Sequence, residues 1–218
     1  TGVSRQVRVR ATDGRDWSPW DESTVTITNA PPSSVTINLV TANPTEGSLV
    51  QLSASATDPA GSRDPLTYSW SAYKSGSSTV LASGSDTSFS YLPTDDGSYR
   101  FVVTVNDGDG GTKTVERLVT VANAAPSITS LSDNGPVFQG SPIVLTVGAQ
   151  DPAGLNDPLT YLFDMDNDGT FEVESALNTY AHVFFDSGTH TVRVGVRDDA
   201  GSVTVARSCK AAASKSMA

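Results

Sequence analysis

Apolar and polar residues alternate with a period of two along most of the chain. Leu66, Tyr68 and Trp70 are separated by Thr67 and Ser69, and Leu159, Tyr161 and Phe163 are separated by Thr160 and Leu162. Tyr99, Phe101, Val103 and Val105 share one parity, matched further on by His190, Val192, Val194 and Val196. Successive strand side chains point to opposite faces, so each set predicts one inward face of a β-strand. Val115, Leu118 and Val121 predict a less regular strand. No segment offers the 3.6-residue apolar stripe of a helix. Ser, Thr and Val fill the alternating segments, while Gly, Asp, Asn and Pro punctuate them, as β-propensity and turn sterics require. The fold class predicted is all-β, built as sandwiches of short strands.

An internal repeat sets the domain plan. DPAGSRDPLTY at 58–68 returns as DPAGLNDPLTY at 151–161, which places Asp58 against Asp151. Asp95-Asp96-Gly97-Ser98-Tyr99 aligns with Asp186-Ser187-Gly188-Thr189-His190, and the linker Asn29-Ala30-Pro31-Pro32-Ser33 with Asn123-Ala124-Ala125-Pro126-Ser127. A repeat of this length is a domain rather than a solenoid unit. Residues 1–30 match only the closing strands of a repeat and should lack a core of their own, residues 31–122 form a whole repeat, and residues 123–209 another. The last strand of that third repeat is expected to break off near Arg207-Ser208-Cys209-Lys210, leaving 210–218 as a disordered tail. An incomplete final strand would open a sheet edge and favour strand exchange or dimerisation. The chain reads as a piece of a longer protein.

Composition narrows the function. The formal net charge is −10, which disfavours nucleic acid as a partner, since such binders need a basic footprint. One cysteine excludes an internal disulfide framework and a cysteine metal cage. No apolar run approaches the ~20 residues of a membrane span, and no signal peptide is visible.

The third repeat resembles PKD (polycystic kidney disease) domains, which are Ig-like sandwiches. The residues that carry the resemblance are Tyr161-Leu162-Phe163-Asp164-Met165-Asp166, His182-Val183-Phe184, Gly188-Thr189-His190-Thr191-Val192 and Arg197-Asp198-Asp199-Ala200-Gly201. The second repeat keeps Tyr68-Ser69-Trp70, Gly97-Ser98-Tyr99 and Asn106-Asp107-Gly108. It departs with Ser71-Ala72-Tyr73 where the acidic turn should follow, and it lacks the histidine. The resemblance implies tandem Ig-like, PKD-type domains joined by short Pro-containing linkers. In the first thirty residues, Asp16-Trp17-Ser18-Pro19-Trp20 resembles the Trp-Ser-x-Trp element of fibronectin type III domains. Arg8 and Arg10 share one strand face and could stack on those tryptophans. The other reading of the tryptophans is an exposed platform for sugar or peptide.

One segment carries candidate chemistry. Asp164-Met165-Asp166-Asn167-Asp168-Gly169-Thr170-Phe171-Glu172 has the D-x-D-x-D-G opening of a calcium loop. Alternate carboxylates can converge on one hard cation, and Gly169 permits the turn that brings in the Thr170 carbonyl. The expected ligands are Asp164, Asp166, Asp168, Thr170 and Glu172, and the expected ion is calcium, because an all-oxygen, flexible set suits it better than zinc or magnesium. The bidentate glutamate of an EF-hand is absent, since Ser175 stands at that position and Glu174 one place early. The competing reading is a solvated Asp/Asn/Gly turn. The corresponding stretch of the second repeat, Ser71-Ala72-Tyr73-Lys74-Ser75-Gly76, has no carboxylate and should bind no ion. Asp107-Gly108-Asp109-Gly110-Gly111 and Asp198-Asp199 read as plain turns.

No catalytic constellation is visible. His182 and His190 read as packed framework residues, and Cys209 has no histidine placed to activate it. The expectation is therefore a non-catalytic extracellular or cell-surface spacer or adhesion array of a secreted protein, stiffened by calcium. Its partners would be the neighbouring domains of the same chain and, beyond them, polysaccharide or a surface protein. The alternative is an accessory carbohydrate- or protein-binding module of a secreted hydrolase, with Trp17, Trp20 and Tyr73 as its contacts.

Overall fold

A computed structural model describes residues 2–214, with side chains over 2–206. The described residues hold strands and two single-turn 3₁₀ segments, Gly61–Arg63 and Gly154–Asn156, which fall at the same place in the duplicated motif. No described helix is long and apolar enough to cross a membrane. The chain adopts the all-β architecture expected from the alternation, in the tandem Ig-like arrangement that the resemblance implied.

Strands β1 (Val3–Val9) and β2 (Asp21–Ile27) form an antiparallel hairpin whose residues are all exposed. It has no core of its own. The next repeat supplies β3 (Ser33–Leu39), β4 (Val50–Thr57), β5 (Thr67–Lys74), β6 (Ala82–Gly84), β7 (Ser88–Tyr91), β8 (Gly97–Asn106) and β9 (Thr112–Val121). They pair as sheets β3-β4-β7 and β6-β5-β8-β9. The last repeat supplies β10 (Ser127–Asp133), β11 (Val137–Phe138), β12 (Pro142–Gln150), β13 (Thr160–Asp164), β14 (Val173–Ser175), β15 (Thr179–Val183), β16 (Gly188–Arg197) and β17 (Val203–Ser214), in sheets β10-β12-β15 and β11-β17-β16-β13-β14.

The inward faces follow the predicted parity. Trp70, Tyr99, Phe101, Val103 and Val105 are buried, and Trp70 stacks on Phe89 at 5.4 Å while its indole N–H donates to the Asp86 carbonyl at 2.9 Å. Leu145, Val147, Phe163, Met165, Val192, Val194 and Val196 form the corresponding core of the last repeat. Two positions differ from the inward sets expected. In β9 the inward residues are Val119 and Val121, and Leu118 is 62% exposed. In β13 Leu162 is buried although it points away from Phe163. Gly195 leaves room on that outer face, where a Cβ would lie 2.9 Å from Phe171 and 3.2 Å from Leu162. Phe171 thus folds back from its loop and covers Leu162.

The end of the chain differs from expectation. Strand β17 does not stop near Ser208 but pairs with β16 as far as Gly188↔Ala213. β11 then adds in parallel, Val137↔Ala213 and Phe138↔Ser214. The alanine run lacks strand propensity, but a ladder needs only backbone N–H and C=O groups. The expected open edge beside the last strand is therefore occupied by β11, and a tail beginning at residue 210 is not what the backbone shows. Residues 215–218 and the Cys209 side chain lie outside the described residues.

The chain divides into two compact units. The first holds the chain through Ala42, Gln51–Tyr91 and Ser98–Val119. The second holds Asn43–Val50, Leu92–Gly97 and the chain from Thr120 onward.

Candidate metal centre

The acidic loop is the connection between β13 and β14. Asp164 closes β13 opposite Arg193 of β16, and β14 returns along β13 with Phe163↔Val173. Asn167 and Gly169 take the left-handed conformation, with φ of 59° and 102°, which lets the chain reverse within the loop. Each carboxylate uses one oxygen to hold the turn. Asp164 Oδ2 accepts the Gly169 N–H at 3.0 Å and Asp166 Oδ1 the Asp168 N–H at 3.1 Å. Asp168 Oδ1 accepts the Thr170 N–H at 2.7 Å, and Glu172 Oε2 the Met165 N–H at 2.9 Å. The second oxygen of each remains for another partner. Carboxylate oxygens of Asp164, Asp166, Asp168 and Glu172 lie within 4.8 Å of one another. Oxygens that share a calcium ion at 2.3–2.6 Å can be at most about 5 Å apart. Asp164 is fully buried, and its Oδ1 has no hydrogen-bond partner. Four expected ligands thus come together, and an orphaned buried oxygen fits a cation. Thr170 enters through its N–H.

Arg193 is the part of this site that sequence reasoning missed. Its Nη1 donates to the Gly169 carbonyl at 3.1 Å and lies 4.0 Å from Asp164 Oδ2, while its guanidinium sits 5.0 Å over Phe171. One cation therefore offsets part of four negative charges and pins the loop to the sheet. The register of the other repeat shows the contrast, because the pair equivalent to Asp164↔Arg193 is Ser71↔Val102. Glu174 stays outside the cluster. It pairs with Arg197 through two contacts, 3.1 and 2.6 Å, and that guanidinium holds its carboxyl below the usual range.

Residues 29–121 match the bacterial Ig domain family and residues 123–211 the PKD domain family. Each of the two complete repeats is thus similar to one family of β-sandwich domains. Over 119 residues it is 38% identical to Chitinase A of Pseudoalteromonas piscicida, a stretch that makes up 51% of this chain and only 14% of that protein. Two solved structures are distantly similar. The ectodomain of mouse nectin-like molecule 4 gives a TM-score of 0.37 at 14% identity, over 86% of this chain and 67% of that one. The fibronectin(III)-like modules of Clostridium thermocellum CbhA give 0.32 at 20% identity, over 79% and 90%. The middle repeat, with Ser71-Ala72-Tyr73 in place of the acidic turn, is the one that matches the bacterial Ig domain, and the last repeat, with the acidic turn, is the one that matches the PKD domain.

In the PKD domain the two histidines belong to a run of rings. Phe163, Tyr180, His182, Phe184 and His190 follow one another at centroid distances of 5.2, 6.4, 4.6 and 4.0 Å, the last pair nearly parallel. His190 Nε2 also lies 3.1 Å from the Asp186 carbonyl. Both are packed residues on the wall of a concavity of about 610 Å³ that reaches Asp166 and Glu172.

The turn aspartates also have work beyond the turn. Asp107 of the Ig domain accepts the Asn29 amide at 2.7 Å and the Asp109 and Gly111 N–H groups at 2.9 Å each. Asp198 of the PKD domain accepts the Asn123 amide at 2.8 Å and the Ser202 N–H at 2.7 Å. The linker asparagine is therefore clasped by a buried aspartate in both repeats. In the hairpin, Arg10 alone stacks on the tryptophans, 4.1 Å from Trp17 and 4.5 Å from Trp20. Arg8, expected to share that role, pairs with Glu22 at 2.9 Å instead. Trp17 and Trp20 stay 57% and 50% exposed, whereas Tyr73 is half-buried beneath Arg100 at 4.3 Å.

Proposed function

We propose that this chain is a non-catalytic, extracellular spacer or adhesion segment of a larger secreted or surface protein, with one calcium ion rigidifying the β13–β14 loop of its PKD domain. The observation that carries the reading is the convergence of Asp164, Asp166, Asp168 and Glu172 around a buried, unpartnered Asp164 oxygen. Like charges held this close repel, and a divalent ion would turn that repulsion into attraction. The weak affinities of extracellular modules suit millimolar calcium. Calorimetric titration of the whole chain with calcium, beside Asp166→Asn, tests it. Saturable binding that loses one ion in the variant is expected. Identical binding in the two proteins would reduce the loop to an acidic turn.

A second reading is favoured by one observation, the exposed Trp17–Trp20 pair, together with the similarity to part of a chitinase. In that reading the chain is an accessory module that grips polysaccharide. Arg10 already occupies a position over both rings, so only their remaining surfaces could meet a sugar. Co-sedimentation with insoluble chitin decides, with retention that falls in Trp17→Ala and Trp20→Ala as the supporting result. Equal retention of all three proteins would remove the tryptophans from consideration.

A further inference from the structure

A second group of acids lies far in sequence from the acidic loop. Glu46 stands in the turn before β4, Asp95 in the turn before β8, and Asp157 in the turn between β12 and β13, and all three belong to the second compact unit. Their carboxylate oxygens approach within 4.8 Å of one another, again inside the span that one calcium ion can bridge. Unlike Asp166, Asp168 and Glu172 of the loop, Glu46 and Asp157 are 1% and 2% exposed.

These groups are incompletely satisfied. Glu46 Oε1 accepts the Ala124 N–H at 2.7 Å, but Oε2 is buried with no partner. Asp157 Oδ2 is buried and unpartnered too, as are Asp151 Oδ2 and the Oδ1 of Asn123, which directly precedes Ala124. Among the described residues no Lys, Arg or His forms an ion pair with Glu46 or Asp157. Buried acceptors without donors are destabilising, and buried charges without counter-charges more so. The fold nevertheless fixes them in place. Glu46 N–H donates to the Ala122 carbonyl at 3.1 Å and Gly47 N–H to Pro93 at 2.9 Å, and the Asn156 amide donates to Thr94 at 2.6 Å. Gly47 has φ of +66°, and a Cβ there would fall 2.5 Å from Pro152, so the close approach of these turns needs a glycine.

We propose that Glu46, Asp95 and Asp157 form a second calcium site, with Asp151 beside it, in which one ion ties the turns before β4 and β8 to the turn between β12 and β13. The donors are hard oxygens with no nitrogen or sulfur, which suits calcium rather than a transition metal. Burial, and then the charges of Glu46, Asp199 and Asp151, pushes the Asp157 carboxyl up to about 7, so protons are the competitor that the ion must displace. The duplicated motif provides an internal comparison. Asp58 and Asp64 stand one repeat before Asp151 and Asp157, and among the described residues they join no group of three such ligands.

The test is calorimetric titration of the full chain with calcium chloride at pH 8, in Glu46→Gln, Asp157→Asn, Asp166→Asn and the control Asp64→Asn. Glu46→Gln and Asp157→Asn should each lose one bound ion, and Asp64→Asn none. The ion that Asp166→Asn removes should persist in Glu46→Gln. If Asp166→Asn is silent while Glu46→Gln removes the only ion, the inference stands and the loop reading falls. Unchanged stoichiometry in both Glu46→Gln and Asp157→Asn overturns the inference, whatever Asp166→Asn does. Asp95 is only half-buried, so Asp95→Asn tests the same site if the buried variants fail to fold, and wild-type stoichiometry in it would then sink the proposal.

Discussion

Single side chains decide how the acidic loop is held. Arg193 joins Gly169, Phe171 and Asp164 in one place, so its removal loses a ring contact and a hydrogen bond and leaves four acids facing one another. Arg193→Met should lower stability by about 1–2 kcal/mol in chelator. The stabilisation gained on adding calcium should be no smaller than in wild type. Urea unfolding with and without calcium reads both quantities, and an unchanged midpoint in chelator would show that Arg193 does not hold the loop. The Asn29–Asp107 clasp makes a pH prediction. The Asn29 amide, with the Asp109 and Gly111 N–H groups, outweighs burial and keeps the Asp107 carboxyl below its ordinary range. Stability from a depressed carboxyl is present above the unfolded value near 3.8 and is lost as pH falls through the folded one. Asn29→Ala raises the folded value towards the unfolded one, so acid unfolding followed by tryptophan fluorescence should begin at higher pH than in wild type. Coincident acid curves would dismiss the clasp.

At the scale of strands, the period-two pattern was sufficient to place most inward faces, because burial on one side of a sheet is written directly into alternate positions. The exceptions have physical causes. Leu162 breaks the alternation because Phe171, outside the strand, returns over the outer face through the space at Gly195. Nothing local to Leu162 announces that cover. β17 extends past the alternation because its partners β16 and β11 supply a backbone ladder that side-chain pattern does not encode. The acidic loop was legible as a ligand set because D-x-D-x-D-G puts its acids close in sequence. Arg193, 29 positions beyond Asp164, was not, since only strand register brings the two together. Gly195→Ala tests the link between sheet and loop. A methyl group there collides with Phe171 and Leu162, and overpacking of this kind costs about 1–3 kcal/mol. The variant should melt lower and release Phe171, visible as faster exchange of the loop N–H groups. Wild-type exchange in a destabilised variant would mean that the loop is held without Phe171.

On the scale of the whole molecule, both acidic groups fall in the second compact unit, and all three tryptophans, Trp17, Trp20 and Trp70, fall in the first. The acidic loop belongs to the last repeat alone, whereas Glu46 and Asp95 lie on turns between strands of the repeat whose core holds Trp70. Calcium at the Glu46 group should therefore reach the tryptophan signal, and calcium at the loop should not. The first unit's buried turn acid, Asp107, already has the Asn29 amide and two N–H donors, and so has no need of an ion. The Glu46 group went unread in the sequence because its members come from three turns that only the folded chain assembles, although the repeated Asp-Pro-Ala-Gly motif supplied Asp151 and led to Asp157. With dissociation constants near those of extracellular modules, ten-millimolar calcium contributes about 1–3 kcal/mol per site. At roughly 4–8 °C per kcal/mol for a unit of this size, the shift is easily measured. Far-ultraviolet circular dichroism, which sees the strands of both units, should show a transition that rises with calcium. The melt followed by tryptophan fluorescence should rise as well, and in Glu46→Gln it should stay in place while the dichroism transition still rises. A fluorescence transition that rises with calcium in Glu46→Gln as far as in wild type would mean that an ion binds elsewhere in the first unit, and the assignment of calcium to these two acidic groups alone would fall.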